Sequence, residues 1–205
     1  MGARTGPGAA GRPREFDLDA ALDTALELFW QEGFGSTSTR TIATRVGVSQ
    51  SSLYNAFGSK QELLAVAMER YEARITASLI GPLEQSPDGS AALEAFIRGL
   101  GQWLGGAGHR GCMLINLMAE DGGATDEIAR RTRAYRARLR SALMGAITRG
   151  EESGEFAPAQ ATLRADLLLG LILGMNIAAR GGASGGELDG MVAAALAQLA
   201  GWKIP

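Results

Sequence analysis

Thr41-Ile42-Ala43-Thr44-Arg45-Val46-Gly47-Val48-Ser49-Gln50-Ser51-Ser52-Leu53-Tyr54 is the stretch on which the fold turns. Ile42, Ala43 and Val46 fall on one side of a short helix, Gly47 breaks it, and Val48 plugs the turn. Ser49 is placed to cap a second helix running from Gln50 to about Phe57, in which Leu53 and Phe57, four apart, face inward. Two short helices joined by a tight glycine-containing turn are the physical description of a helix-turn-helix. The second helix is too short to stand alone. Yet it presents Gln50, Ser51, Ser52 and Asn55, groups of a size and polarity suited to base edges and phosphates.

Upstream, Asp17 is an N-cap for a helix over Leu18–Glu32. Its apolar stripe is Ala21, Leu22, Ala25, Leu26, Leu28 and Phe29, and Gly33 ends it. Ser38 to Val46 form the next helix, entered through Ser36-Thr37-Ser38-Thr39. Downstream, Ser59-Lys60-Gln61-Glu62 reads as a capping box opening a helix to about Leu79, with a break at Gly81, Pro82, Pro87, Asp88 and Gly89. A helix over Ala91–Leu104, a loop opened by Gly105, Gly106 and Gly108, and a short apolar segment over Cys112–Ala119 follow. A long helix from about Thr125 to Gly150 carries Arg130, Arg131, Arg133, Arg136, Arg138 and Arg140. Two apolar helices, Ala159–Ala179 and Glu187–Leu199, close the chain. No useful β-alternation occurs. The fold class is therefore all-α: an N-terminal three-helix helix-turn-helix domain over 15–72, and a helical bundle over 73–205, for which dimerisation and ligand binding are the expected roles. Residues 1–14 form a flexible basic arm, read either as a tail without a role or as a contact to DNA.

The 205 residues include one cysteine, Cys112, and one histidine, His109. That excludes an intrachain disulfide and a zinc site built on thiolates, and no cofactor or metal is implied. The formal net charge is −2, but its distribution matters more. Residues 1–14 and 33–61 hold arginines and Lys60 without an acid, whereas 15–32 are acidic. No charge- and glycine-free apolar run reaches spanning length, and no secretory signal opens the sequence, so a cytoplasmic protein without a membrane segment is expected.

DNA contacts are expected from Thr37, Ser38, Thr39 and Arg40 around a helix N-terminus, from Gln50, Ser51, Ser52 and Asn55, and from Tyr54 and Lys60 toward phosphates. A lysine at a helix N-terminus opposes the helix dipole, which is easier to explain if a phosphate faces it. Phe96, Trp103, Cys112, Met113, Asn116, Met118, Tyr135, Met175 and Asn176 are candidates for a ligand cavity, with ordinary core packing as the alternative for each. Asn116 and Asn176, in apolar runs, need partners if buried. Cys112 beside His109 and Arg110 reads either as a thiol of lowered pKa or as an inert buried one.

Residues 12–72 resemble the DNA-binding domain of the tetracycline-repressor (TetR) family. The resemblance is carried by Gly33-Phe34, Thr37-Ser38, Ile42-Ala43, Gly47-Val48-Ser49, Leu53-Tyr54, Phe57 and Ser59-Lys60. Two positions depart from the family's habit: Ser51 where glycine is common, and Ala56 where histidine is common. The resemblance implies that Gln50 to Asn55 lie in the major groove of double-stranded DNA at a palindromic operator, with Tyr54 and Lys60 on phosphates. It also implies a homodimer formed through the last two helices, and a cavity for a small apolar effector that releases DNA. The segment His109-Arg110-Gly111-Cys112-Met113-Leu114-Ile115-Asn116 resembles one subgroup. A repressor is thus expected. The alternatives are a helical interaction protein without operator binding, and a Cys/His enzyme, which lacks an orienting third group.

Overall fold

Helix α1, Leu18–Glu32, begins where the Asp17 carboxylate accepts the N–H groups of Asp19 and Ala20 at 2.9 and 3.1 Å. Its stripe from Ala21 to Phe29 is buried as the periodicity requires, and it packs on α4. The computed structural model describes residues 17–106, 110–120, 126–158 and 160–204. The arm at 1–14, His109, Gly108 and the start of the long helix at Thr125 lie outside these residues.

After α1 come α2 (Thr39–Val46), α3 (Gln50–Phe57) and α4 (Lys60–Ile75). The break expected at Gly81-Pro82 is not there. A π-helical segment over Thr76–Ile80 leads without interruption into α5, Gly81–Gln85, and the Gly81 N–H reaches back to the Thr76 carbonyl. The widened turn places Pro82 in the first turn of α5, where its missing N–H is not needed. The chain leaves helical geometry only at Ser86, whose ψ is 130°.

Helix α6, Gly89–Gly106, includes Gly105 and Gly106, which the sequence had assigned to a loop. Its buried stripe of Leu93, Phe96, Ile97, Leu100 and Leu104 supplies enough apolar contact to carry them. Helices α7 (Met113–Ala119), α8 (Asp126–Glu152), α9 (Ala161–Arg180) and α10 (Gly185–Ala200) complete the body. There α8 packs against α6 and α9, and α10 against α6 and α9. The capping box that opens α10, Ser184 with Glu187, sets its start two residues ahead of the sequence reading. Among the described residues, α9 is apolar enough on average to cross a membrane, with mean hydropathy 1.4. The charge-free run is shorter, because Arg164 and Asp166 interrupt it.

The chain closes in a knot that no periodicity announces. Phe156 is fully buried against Gly150 and meets Trp202 edge-on at 6.2 Å. The buried Arg164 guanidinium lies over the Trp202 ring at 5.2 Å, donates to the Ala157 carbonyl at 2.7 Å, and pairs with Glu151 at 3.1 Å. A single antiparallel bridge joins Phe156 to Lys203. Removing the ring would leave a cavity beside a buried cation. We expect Phe156→Ala to lower the unfolding free energy by about 3–5 kcal/mol, read by urea denaturation at matched protein concentration. A loss under about 1 kcal/mol would show that the knot closes nothing essential.

Candidate nucleic-acid interface

The helix-turn-helix is built by caps and one anchor. The Ser38 hydroxyl accepts the Thr41 N–H at 3.0 Å to start α2. Gly47, at φ 82°, ends it, and both Gly47 and Val48 return their N–H groups to the Ala43 carbonyl at 2.9 Å. That left-handed turn is the conformation glycine adopts without strain. Ser49 then caps α3 by accepting the Ser52 N–H at 3.0 Å. Leu53 is the buried residue of α3, and it fixes which face points out. Gly58, at φ 74°, stops α3, and the reciprocal Ser59–Glu62 capping box starts α4.

The outward face carries Gln50, Ser51, Tyr54 and Asn55, all exposed, with Tyr54 at 66 %. Ser52 is half-buried, and its hydroxyl bonds the Ser49 hydroxyl at 2.8 Å. Gln50 Nε2 donates to Thr39 Oγ1 at 3.3 Å, so α3 and α2 share a polar seam. Thr39, Gln50, Ser51, Tyr54, Asn55 and Ser59 line a concave pocket of about 360 Å³. Arg40 and Arg45 stand exposed on α2 and form no ion pair among the described residues. Arg70 and Arg74 behind them are tied to Asp19 and Asp23. Arg45 faces α1, where it shares a surface pocket with Asp23 and Glu27.

Thr37 sits differently from the expectation. It is buried, and its hydroxyl donates to the Gly33 carbonyl at 2.7 Å, so it staples the turn after α1 and has no reach to a phosphate. Lys60 is half-buried, with its ammonium 4.2 Å from the Phe34 ring centroid. Burial lowers its pKa, opposed by the nearby Glu120 carboxylate. The aromatic face steadies a cation at a helix N-terminus that the dipole disfavours.

Behind this head lies a chain of contacts to the body. Trp30 stacks on Trp103 of α6 at 5.9 Å, meets Tyr71 of α4 edge-on at 5.4 Å, and donates its Nε1–H to the Gly111 carbonyl at 2.8 Å. Arg110 covers the Trp30 ring at 5.0 Å and pairs with Glu27. Glu120, just past α7, accepts the Phe34 N–H at 2.9 Å and stands 3.9 Å from Arg180 of α9. Sequence reasoning missed Trp30, Glu27, Arg110 as a contact, Glu120 and Arg180. Trp30 falls outside the α1 stripe, which was the available signal.

An apolar cavity lies between these contacts and α8 and α9, lined in part by Phe96, Trp103, Cys112, Tyr135 and Asn176. It measures about 10 Å³, room for about one water. Met113, Asn116, Met118 and Met175 do not line it. Met113 and Met175 are ordinary core, and the Asn116 amide is spent on the Arg110 carbonyl at 2.7 Å. Asn176 lines the cavity, but its oxygen accepts the Cys112 N–H at 2.7 Å and its amide donates to the Ile172 carbonyl at 2.8 Å. The lowered pKa considered for Cys112 is reversed, because complete burial raises it. Gly111 is no hinge. At φ 64° it lies so close to the Asn176 carbonyl that a side chain would meet it at 2.8 Å.

Residues 21–67 match the family described as bacterial regulatory proteins, tetR family. The HTH-type transcriptional repressor ComR of Escherichia coli (strain K12) is 32% identical over 150 residues, 72% of this chain and 71% of that protein. Two solved structures share the fold. A cysteine mutant of the TetR family transcriptional regulator CifR, complexed with 26-bp double-strand operator DNA, superposes with a TM-score of 0.78 at 24% identity over 91% of this chain and 98% of that one. AibR, in complex with isovaleryl coenzyme A and operator DNA, gives 0.69 at 21% identity over 86% and 96%. With its capped helix-turn-helix and its all-helical body, the chain belongs to the tetR family of bacterial regulatory proteins and is a DNA-binding transcriptional regulator.

Proposed function

We propose that this regulator is a repressor that binds a roughly palindromic operator as a homodimer and leaves it when a small apolar molecule enters the body. The observation that carries the DNA reading is the α3 face: Gln50, Ser51, Tyr54 and Asn55 are held outward over the buried Leu53, with Arg40 exposed on the adjoining α2. In this reading Gln50, Ser51 and Asn55 meet base edges. Ser38, Thr39, Ser52, Tyr54, Lys60 and Arg40 position the backbone. The repressor sign rests on ComR, named a transcriptional repressor. Release by a ligand rests on the cavity and its stacked route to the head through Trp103 and Trp30, and on AibR, which is bound to both an acyl-coenzyme A and DNA. Cys112 serves as cavity lining in this account. Its burial and raised pKa disfavour thiolate chemistry.

The division into an arm at 1–14, a head at 15–72 and a body at 73–205 follows the same logic, with its second boundary inside α4. A cytoplasmic site of action follows from the DNA partner.

The dimer reading has its own support. Leu163, Leu167 and Ile177 of α9 are exposed at 68%, 44% and 64%. A side chain at Gly170 or Gly174 would meet nothing within 4 Å in this chain. Large apolar groups beside bare backbone suit close approach of a partner copy.

The DNA reading is tested by selecting a site from random duplexes and measuring affinity against a scrambled duplex across a salt series. A preference on the order of 10³-fold or more is expected. One below about tenfold would favour a helical interaction protein without an operator. Gln50→Ala should change which sequences are preferred. Lys60→Ala should weaken both duplexes alike and reduce the salt slope by about one. Thr37→Val should leave that slope unchanged and lower stability by about 1–3 kcal/mol.

Sedimentation at micromolar protein should give a dimer. Leu163→Glu with Ile177→Glu should give a folded monomer with weakened operator binding. A monomer in the unaltered protein would refute the dimer reading.

A further inference from the structure

Helix α9 reaches the head through its last residue. Arg180 Nη1 donates to the Trp30 carbonyl at 3.3 Å, and its Nη2 stands 3.9 Å from Glu120 Oε1. Among the described residues, the first of these is the one hydrogen bond between α9 and helices α1 to α4. The guanidinium is not needed to finish its own helix. The Ile177, Ala178 and Ala179 carbonyls already accept the N–H groups of Gly181, Ala183 and Gly182 at 2.9, 3.0 and 3.1 Å. A cation in the last turn suits the helix dipole, but the donors of this one are spent on another element.

On the head side the contact falls on the turn that orients the helix-turn-helix. Glu120 Oε2 accepts the Phe34 N–H at 2.9 Å. Its Oε1 lies 2.7 Å from where a side chain at Gly33 would begin, so the carboxylate is seated on bare backbone. Thr37 closes the same turn, and Ser38 caps α2 directly after it. The Phe34 ring carries Lys60 at the start of α4. Glu120 therefore grips the entries of α2 and α4 together. On the body side, Ile177 precedes Arg180 by a rise of only about 4.5 Å along the helix. It is one of the exposed side chains assigned above to the partner copy. The covalent link from head to body is α4, which runs into the widened turn at Thr76–Ile80. Helices kink at such turns, so the link alone fixes the angle of the head poorly.

We infer that Arg180, acting through Trp30 and Glu120, sets the spacing between the two operator half-sites that the dimer accepts. It is a positioning residue, which acts on DNA only through the head. The inference rests on the homodimer and palindromic-operator reading above and names the contact that fixes the spacing. Two heads in a dimer are held relative to each other through α9 and its partner copy. Moving one half-site by a base pair shifts it by about 3.4 Å and turns it by about 35°, since a turn of duplex takes about 10–10.5 bp over about 34–36 Å. A head locked to α9 cannot follow that change. A head held by Trp103, the Gly111 carbonyl and α4 alone can swing part of the way. The α3 face is untouched when Arg180 is lost, so reading within a half-site is separable from spacing.

The test uses the site selected by the unaltered full-length protein in three forms: as selected, with one central base pair inserted, and with one base pair changed in each half-site. Equilibrium binding is compared with Arg180→Met, which keeps the length of the side chain and removes its donors, and with Glu120→Ala. Arg180 is exposed at a helix end, and sedimentation checks that each variant is still a dimer. The unaltered protein should lose on the order of 10²-fold on the respaced duplex, about the cost of one or two mismatched pairs. Each variant should cut that loss by about tenfold, while the penalty for the changed half-sites stays within about twofold. The double variant should do little more than Arg180→Met alone, because the two residues act in one chain. An unchanged spacing penalty in both variants would overturn the assignment. So would a variant that weakens all three duplexes by one factor, since the contact would then be a general support of the fold. An unaltered dimer indifferent to spacing would leave Arg180 nothing to set and would overturn it too. An unaltered protein that is a monomer, or that prefers no sequence, would instead remove the operator reading itself, and the inference with it.

Discussion

The burial of Leu53 beneath α3 is the contact on which the rest depends. An eight-residue helix does not form alone in water, and this one is held by Leu53, with the partly buried Phe57 one turn on. Everything else in the head serves that contact. Ser49 and Gly58 set the ends of the helix, and the turn at Gly47 sets its angle to α2. Ile42 and Ala43 provide the floor. Because the helix is short, nearly all its other positions are free to be polar. A longer helix would have to bury a second apolar turn and lose reading surface. Shortness and the polar face are therefore one property.

The head does not simply hang from α4. Trp30 lies at the meeting point of α1, α4 and α6 and of the turn before α7, and each contact is of a different kind: a stacked indole, an edge-on phenol, a hydrogen bond to backbone and a covering guanidinium. Glu120 adds a second tie, from α7 to the turn after α1. A carboxylate near the C-terminal end of a helix is electrostatically unfavourable. Here the Phe34 N–H, Arg180 and the field of Lys60 offset it. The tie is therefore conditional on α9 and α4 staying where they are. Movement of either weakens it, which is what a coupling contact between two packed units requires.

Much of this was legible in the sequence, and the reason it was legible is local. Caps, glycine stops and 3.6-residue stripes act within one turn, so the bounds of α1 and α3 can be read from their own residues. The π segment could not be read, because Gly81-Pro82 is a stop signal in isolation and becomes permissible only when the preceding turn widens. Gly105 and Gly106 failed in the opposite direction: tertiary burial of the α6 stripe overrides their poor helix propensity. The Phe156–Trp202–Arg164 knot joins residues almost fifty positions apart, and nothing near any one of them signals it. The α3 face was legible for the same local reasons. Thr37 was misread because a threonine before a helix looks the same from sequence whether its hydroxyl faces water or the preceding carbonyl.

The cavity residues show a sharper limit. Asn116 and Asn176 drew attention because a polar side chain in an apolar run requires a partner. The requirement was correct, but the partners are the backbone around Gly111: Asn116 holds the Arg110 carbonyl and Asn176 the Cys112 N–H. These amides shape the turn that the Trp30 indole then grips, so they build the path between body and head. Tyr135 carried a weaker sequence signal, since tyrosine in a core helix is ordinary. Its hydroxyl is engaged by the Cys112 thiol at 3.7 Å. Buried polarity marks a binding site only after the internal hydrogen bonds have been subtracted, and that subtraction depends on three-dimensional contacts between residues as distant as 112 and 176.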